Sequence, residues 1–235
     1  MKKKVFIFDL DGTLYHDMAF VEAYIELITS DHWIQDAIKN ELNDILNGVS
    51  EIGLNDTINN QIGSYSLGDP WQVILYLSRK YEIQEAKQIE AFYKVREQMI
   101  QPGFALKMNN TYIETVKNLD DVKILMTNSP EENASTFVHL FGLNHAFDHY
   151  YYDAKKPTGM STYVKEIQKM YPDHEIISIG DNYINDIKPC QDIGIKGIYI
   201  NHFNIPINEQ YIQVVQDLKE LNEVLMTTYE KRKTH

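Results

Sequence analysis

The sequence lacks several features, and each absence excludes a class of protein or of partner. Its 235 residues include one cysteine, Cys190, so an internal disulfide is excluded and a reducing compartment is expected. Basic residues number 22 against 34 acidic ones, a formal net charge of −12, which argues against a nucleic-acid polymer or an anionic membrane as partner. Long apolar runs are also missing. The run at residues 5–8 is too short for a signal peptide, and we expect a cytoplasmic protein.

Apolar residues between about 18 and 100 recur at helical spacing, with little strand signal. The residues that carry this spacing are Phe20, Tyr24, Leu27, Ile28, Ile34, Ile38, Leu42, Ile45, Leu46, Ile89, Phe92, Tyr93, Met99 and Ile100. Asp69-Pro70, before Trp71, predicts a helix start with Asp as N-cap and Pro at the first helical position. The Asn-, Ser- and Gly-rich stretch at 48–68 predicts a loop that holds a short helix.

From about residue 103 the pattern becomes an alternation of strands and helices. Strands are predicted at 122–126, 147–152, 175–179 and 197–200, with helices near 109–119, 130–142, 159–171, 183–193 and 208–230. Such alternation predicts an α/β fold with a parallel sheet covered by helices on both faces. The first strand, at 3–9, must join that sheet, because a lone strand is not stable beside a helical bundle. We therefore expect a core of residues 1–15 and 103–235, and an inserted α-helical domain at 16–102.

Two aspartates, Asp9 and Asp11, end the first apolar strand, and Gly12 follows them. Ionised carboxylates are costly to bury unpaired, but the carboxyl ends of parallel strands face the crevice where such folds bind ligands. There, one carboxylate can attack a phosphorus centre while the other moves a proton. The alternative is a solvated Asp-Gly turn.

Thr127 and Asn128 directly follow the predicted strand at 122–126. Ser129-Pro130-Glu131-Glu132 comes next, a capping-box pattern that starts a helix. A helix start with a nearby hydroxyl is suited to binding an anion. An ordinary helix cap would explain Ser129 and Glu132 but leave Thr127 and Asn128 unassigned.

Lys155 and Lys156 precede Pro157 shortly after the predicted strand at 147–152. A lysine at this position can neutralise negative charge on a nucleophile and on phosphoryl oxygens. The alternative is a solvated lysine pair in a loop.

Asp181 and Asp186 follow the predicted strand at 175–179, one turn apart. Carboxylates gathered at strand ends would repel Asp9 unless a cation lay among them. Mg2+ fits such a site, because it prefers carboxylates and water and commonly bridges protein to phosphate. Alternatively, Asp181 caps a helix. Asp186 is suited to orient Lys156 or a metal-bound water.

Together these segments resemble the haloacid dehalogenase (HAD) superfamily of phosphohydrolases. Asp9-Leu-Asp11-Gly-Thr13 is similar to its first motif, Thr127-Asn128 to its second, Lys156-Pro157 to its third, and Gly180-Asp181 with Asp186 to its fourth. The resemblance implies a Rossmann-like catalytic core and, in the inserted helical domain, a C1-type cap.

The resemblance also implies roles for these residues. Asp9 is then the nucleophile that forms an aspartyl-phosphate, and Asp11 is the general acid/base, which favours phosphate esters because the dehalogenase branch lacks an acid/base Asp there. The implied Mg2+ ligands are Asp9, the backbone carbonyl of Asp11, and Asp181; the implied phosphate-binding residues are Thr127, Asn128 and Lys156; Asp186 supports the site. Lys155 competes with Lys156 for the third-motif role, and the Lys directly before Pro matches better.

The segment after the first motif bears on the substrate. Leu14-Tyr15 is similar to pyrimidine 5′-nucleotidase-like members, and Tyr15 and His16 are candidate pocket residues. We therefore expect a Mg2+-dependent phosphatase of a small phosphorylated metabolite, a nucleoside monophosphate or a sugar phosphate. A phosphomutase of the same superfamily is one alternative, and a non-catalytic ligand-binding member is another.

Overall fold

A computed structural model of the chain describes residues 2–47, 69–104, 106–204 and 212–233. The loop predicted at 48–68 lies outside the described residues. Within them, no helix is long and apolar enough to cross a membrane.

Six strands form one parallel sheet. They are β1 Lys4–Phe8, β2 Val122–Met126, β3 His149–Tyr151, β4 Glu175–Gly180, β5 Lys196–Ile200 and β6 Ile212–Val215. Their order is β3-β2-β1-β4-β5-β6, and every neighbouring pair is parallel. β1 therefore lies in the interior of the sheet, between β2 and β4.

Nine α-helices occur among the described residues. They are α1 Phe20–Ile28, α2 His32–Leu46, α3 Pro70–Lys80, α4 Glu85–Met99, α5 Asn110–Asn118, α6 Glu131–Leu140, α7 Met160–Met170, α8 Lys188–Gln191 and α9 Leu218–Lys233. A π-helical turn, Tyr183–Ile187, directly precedes α8. With the parallel sheet, this confirms the predicted α/β, Rossmann-like fold.

The core lies on both faces of β1. Val5 and Ile7 are buried in one cluster with Met160, Val164 and Ile167 of α7. Phe6 and Phe8 point to the opposite face, because side chains alternate along a strand. On that face, Phe6 lines the same small cavity as Val224 and Leu225 of α9. An interior strand covered on both faces is apolar where it is buried, as β1 is from Val5 to Phe8.

The chain divides into two compact units. One consists of Met1–His16, Lys107–His202 and Asn208–His235, and the other of Asp17–Leu106 and Phe203–Ile207. The first holds the sheet, and the second holds α1 to α4. That the helical unit acts as a cap over a substrate stays a prediction.

Trp71 of α3 organises the interior of the helical unit. Its ring stacks on Phe20 of α1 with 3.8 Å between ring centroids, and it meets the ring of Phe92 of α4 edge-on at 5.6 Å. The buried guanidinium of Arg96 lies 5.5 Å from the Trp71 centroid. The predicted start of α3 is observed, because the Asp69 carboxylate accepts a hydrogen bond from the Trp71 N–H at 2.8 Å. Aromatic stacking and a cation–π contact thus join three of its helices.

The C-terminal segment differs from its predicted single helix at 208–230. Residues 212–215 form β6, which pairs with β5 from Gly197↔Ile212 to Ile200↔Val215. Helix α9 begins only at Leu218, where the Asp217 carboxylate accepts from the Glu220 N–H at 2.8 Å. β-branched residues at 212, 214 and 215 favour a strand once an edge is available to pair with. The spacing of Asp217 and Glu220 is typical of a helix start, a signal that the sequence analysis did not use.

Candidate active site

Functional side chains leave the ends of neighbouring parallel strands. The Asp9 N–H after β1 donates to the Ile179 carbonyl of β4 at 3.0 Å, and the Thr127 N–H after β2 donates to the Tyr151 carbonyl of β3 at 2.9 Å. Asp181 follows the last residue of β4. The carboxyl ends of parallel strands share one edge of the sheet, so the four predicted segments meet there.

Lys156 joins two of the predicted carboxylates. Its Nζ lies 2.8 Å from Asp9 Oδ1 and 2.5 Å from Asp186 Oδ1, and its side chain is 3% exposed. Lys155, its competitor in the sequence, is exposed. Burial alone would lower the pKa of Lys156, but the Asp186 and Asp9 carboxylates outweigh it and hold the pKa above its usual value. The ammonium therefore stays charged.

Three carboxylates lie close to one another here, and two of them, Asp9 and Asp186, contact the Lys156 ammonium. Asp9, Asp181 and Asp186 are buried, and one carboxylate oxygen from each lies within 4.8 Å of the others. Burial, followed by repulsion from Asp186 and Asp11, raises the pKa of Asp9 to about 7 even though Lys156 opposes the shift. Three buried carboxylates with one ammonium form a hard, oxygen-rich and negatively charged set. This donor set fits Mg2+.

Two glycines make room for these carboxylates. A Cβ at Gly12, where φ is +76°, would lie 1.9 Å from Asp181 Oδ2. A Cβ at Gly180 would lie 2.2 Å from Asp186 Oδ2. Any larger side chain would displace the carboxylate at either position, so both acids approach the backbone only because glycine stands there.

The π-helical turn after β4 positions Asp186. Its Oδ2 accepts from the Asn182 N–H at 3.2 Å, and its carbonyl accepts from the Ser178 hydroxyl at 2.7 Å. Asn182, not Asp181, caps the turn: its Oδ1 accepts from the Asn185 N–H at 3.1 Å. The Asp181 carboxylate, one residue earlier, lies in the acidic cluster.

Asn128 contacts the backbone of Lys156 through both of its side-chain polar atoms. Its Oδ1 accepts from the Lys156 N–H at 2.6 Å, and its Nδ2 donates to the Lys156 carbonyl at 3.0 Å. These bonds fix the lysine backbone beside the site. Thr127 is buried, and its Oγ1 accepts from the Ser129 N–H at 3.1 Å. Phosphate binding by Asn128 and Thr127 stays a prediction.

Asp11 is held by two hydroxyl groups that sequence reasoning did not connect with it. Ser129 Oγ donates to Asp11 Oδ2 at 2.9 Å, and the Tyr15 hydroxyl donates to Asp11 Oδ1. Helix α6 has no side-chain cap, so the predicted N-cap role of Ser129 is wrong. The Tyr15 residue is 2% exposed, and its hydroxyl reaches the site through Asp11.

His16, the other candidate pocket residue, stacks on a histidine that the motifs did not indicate. The ring centroids of His16 and His202 are 3.7 Å apart, with 12° between the planes. His202 Nε2 lies 2.7 Å from the Gly12 carbonyl. Burial, together with the neighbouring His16, lowers the pKa of His202 to about 4, so His202 is neutral at physiological pH, and its contact with the Gly12 carbonyl braces the turn that carries Gly12.

A family profile described as haloacid dehalogenase-like hydrolase matches residues 3–194, most of the chain. The chain belongs to this family. The predicted HAD resemblance is thereby confirmed, and the four strand-end segments described above lie within the matched residues. No curated protein sequence matches significantly.

Solved structures share the fold of this HAD-like hydrolase. A magnesium-bound HAD-hydrolase from Bacillus subtilis, YfnB, has a TM-score of 0.63 at 17% identity, covering 96% of this chain and 99% of its own. A protein from Clostridium difficile named as a phosphatase has a TM-score of 0.55 at 18% identity, covering 96% and 99%. L-2-haloacid dehalogenase from Xanthobacter autotrophicus, with chloropropionic acid covalently bound, has 0.55 at 14%, covering 95% and 98%. At these identities the likeness shows the fold alone.

Replacing Lys156 tests the charge balance of the cluster. We expect Lys156→Met to lower the free energy of unfolding by about 3–5 kcal/mol, because it leaves buried carboxylates facing one another without their ammonium. The measurement is urea unfolding in EDTA at neutral pH, and Lys155→Met, at the exposed neighbour, should change stability by less than about 0.5 kcal/mol. Equal effects of the two substitutions would contradict the assignment.

The buried His202 is expected to make the stability of the fold sensitive to acid. Its pKa is about 4 when folded and about 6.5 when unfolded, so the unfolded chain binds the proton first as pH falls. Stability is therefore unaffected above about pH 6.5 and is lost as pH falls towards 4. We expect His202→Asn, which keeps a donor for the Gly12 carbonyl, to flatten this part of the stability–pH curve, as followed by thermal unfolding. His145→Asn, at an exposed histidine, is the control; parallel curves for wild type and His202→Asn would exclude this origin.

Proposed function

We propose that this HAD-like hydrolase is a Mg2+-dependent phosphatase that acts on a small phosphorylated metabolite, a nucleoside monophosphate or a sugar phosphate. The observation that carries the proposal is the different setting of the two aspartates after β1. Asp9 Oδ1 accepts from Lys156 inside the acidic cluster, whereas Asp11 accepts from two neutral hydroxyls. Two carboxylates in distinct environments suit two distinct roles.

In the first half-reaction Asp9 is the nucleophile. A carboxylate oxygen of Asp9 forms a bond to phosphorus while the bond from phosphorus to the ester oxygen breaks, and Asp11 gives its proton to that oxygen. The products are an alcohol, an aspartyl-phosphate and ionised Asp11. Protonation matters here, because an alkoxide is a poor leaving group and general acid catalysis typically contributes about 10²–10⁴ in rate.

In the second half-reaction water attacks the phosphorus. Asp11 takes a proton from the water, the bond between phosphorus and the Asp9 oxygen breaks, and phosphate leaves. Both aspartates return to their starting states, so the cycle balances with water as the only other reactant. Lys156 offsets negative charge on Asp9 throughout, and Asn128 keeps the lysine in position.

Mg2+ would be held by Asp9, the backbone carbonyl of Asp11, and Asp181, and it would supply positive charge beside the phosphoryl oxygens. Asp186 would support the site by anchoring Lys156. Thr127 and Lys156 would hold the phosphoryl group, as the motifs imply.

A dehalogenase is the competing activity, because the shared fold also occurs in an L-2-haloacid dehalogenase. Displacing a halide from carbon needs a carboxylate nucleophile but no proton donor, since halide is a weak base. That step would leave the proton-donor role of Asp11, and the two hydroxyls that hold its carboxyl group for it, unused. The phosphatase proposal uses both.

Substituting the nucleophile is the first test. We expect Asp9→Asn to reduce hydrolysis of 4-nitrophenyl phosphate by at least about 10³-fold with Mg2+ present, because the amide cannot form the phosphoryl ester. Released 4-nitrophenolate is measured beside halide release from a 2-haloacid, with Asp173→Asn, at an exposed aspartate, as control. The proposal would be refuted if Asp9→Asn kept its phosphatase activity, or if the wild type released halide from the 2-haloacid and did not hydrolyse the phosphate ester.

Metal removal is the second test. We expect excess EDTA to abolish phosphate release and added Mg2+ to restore it. Mg2+ at 100 times its Kd should also stabilise the wild type by about 2.7 kcal/mol, because a ligand of the native state shifts the unfolding equilibrium. Thermal unfolding with and without Mg2+ measures this, and Asp181→Asn should lose the shift. Full turnover in EDTA would rule out the metal.

A further inference from the structure

Two residues outside the four family motifs, Tyr15 and Ser129, each donate a hydrogen bond to the Asp11 carboxylate. Tyr15 lies four residues after Asp11 and donates to Oδ1. Ser129 lies 118 residues away, after β2, and donates to Oδ2 at 2.9 Å. A carboxylate with a donor on each oxygen cannot rotate about its terminal bond without losing both hydrogen bonds.

Tyr15 is itself held rigidly. Its ring stacks on Phe137 with 5.6 Å between centroids and 15° between planes, and lies 5.4 Å from Phe141. Both partners belong to α6 or its end, and the ring is buried. The position of the Tyr15 hydroxyl is therefore fixed by the packing of its buried ring.

Ser129 is fixed by its backbone. Its N–H donates to Thr127 Oγ1 at 3.1 Å, and its carbonyl accepts from the Asp153 N–H at 3.1 Å. The side chain is buried and its hydroxyl faces Asp11. The segments after β2 and β3 therefore set where this donor stands.

From this arrangement we infer that Tyr15 and Ser129 are positioning residues that fix the Asp11 carboxyl in the orientation for proton transfer to the leaving oxygen. The inference rests on the proposed phosphatase function. Each carboxyl oxygen has two lone pairs, so the hydroxyls can remain bonded whether or not Asp11 carries the proton. Neither hydroxyl needs to touch the substrate.

The dependence on the leaving group separates positioning from a purely structural role. If Tyr15 orients the acid, its loss should cost most when the leaving oxygen is strongly basic and needs the proton, and least for 4-nitrophenol. If Tyr15 only packs the interior, all substrates should lose activity by the same factor. The value of kcat/KM reports this step, because it covers the reaction up to release of the alcohol.

The experiment measures kcat/KM with Mg2+ for 4-nitrophenyl, phenyl and 4-methoxyphenyl phosphate. For Tyr15→Phe, which keeps the ring packed on Phe137, we expect a loss of about twofold with the first and about tenfold or more with the last. Ser129→Ala should show the same trend. Tyr150→Phe, which removes a hydroxyl bonded to the Leu143 and Asn144 carbonyls, should leave all three values unchanged.

A double-mutant cycle completes the test. In the Asp11→Asn background, adding Tyr15→Phe should cost nothing further, because the hydroxyl acts only through the acid. A uniform loss across the three substrates, or additive losses in the cycle, overturns the positioning role while leaving the phosphatase proposal intact. A wild type that is inactive on all three esters with Mg2+ overturns the proposed function and this inference together. Thermal unfolding of each variant identifies any that fail to fold, and Ser129→Ala then decides the question.

Discussion

A lysine ammonium buried between two carboxylates is the interaction on which the site depends. Lys156 contacts Asp9 and Asp186, and its side chain is 3% exposed. Buried charges are tolerated only when they are paired and hydrogen-bonded, and here both conditions hold. The ion pairs bring together residues that follow β1, β3 and β4.

The surrounding structure is built to hold these charges at short range. Asn128 fixes the lysine backbone, the π-helical turn presents Asp186, and Gly12 and Gly180 let acids lie against the main chain. These contacts come from loops, but the loops leave adjacent strands of one sheet. A rigid parallel sheet with variable loops at its carboxyl end explains how a single fold supports such a site.

Much of this arrangement followed from the sequence. Apolar runs ending in polar residues located four of the strand ends, and parallel topology then required Asp9, Thr127 and Asp181 to meet. The motif favoured Lys156 over Lys155 only because Pro157 follows it, and Lys155 remained a competitor. The structure distinguishes them by burial.

The contacts that sequence reasoning missed depend on three-dimensional packing. Ser129 carried a helix-cap signal, yet its hydroxyl bonds to Asp11 across 118 positions. His202 belongs to no motif and meets His16 only through the fold. The sequence pattern predicted a helix where β6 lies, because strand formation there depends on pairing with the edge of β5.

The most direct test of the account is detection of phosphate on Asp9. Asp11→Asn should still accept the phosphoryl group from 4-nitrophenyl phosphate, whose leaving group needs little protonation, but should release it slowly because no base activates water. Mass spectrometry of the acid-quenched protein is predicted to show one added phosphoryl group on the peptide that contains Asp9. The account would be contradicted if Asp11→Asn showed no phosphoryl group after incubation with 4-nitrophenyl phosphate. It would also be contradicted if the Asp9→Asn, Asp11→Asn double variant still acquired one on the same peptide.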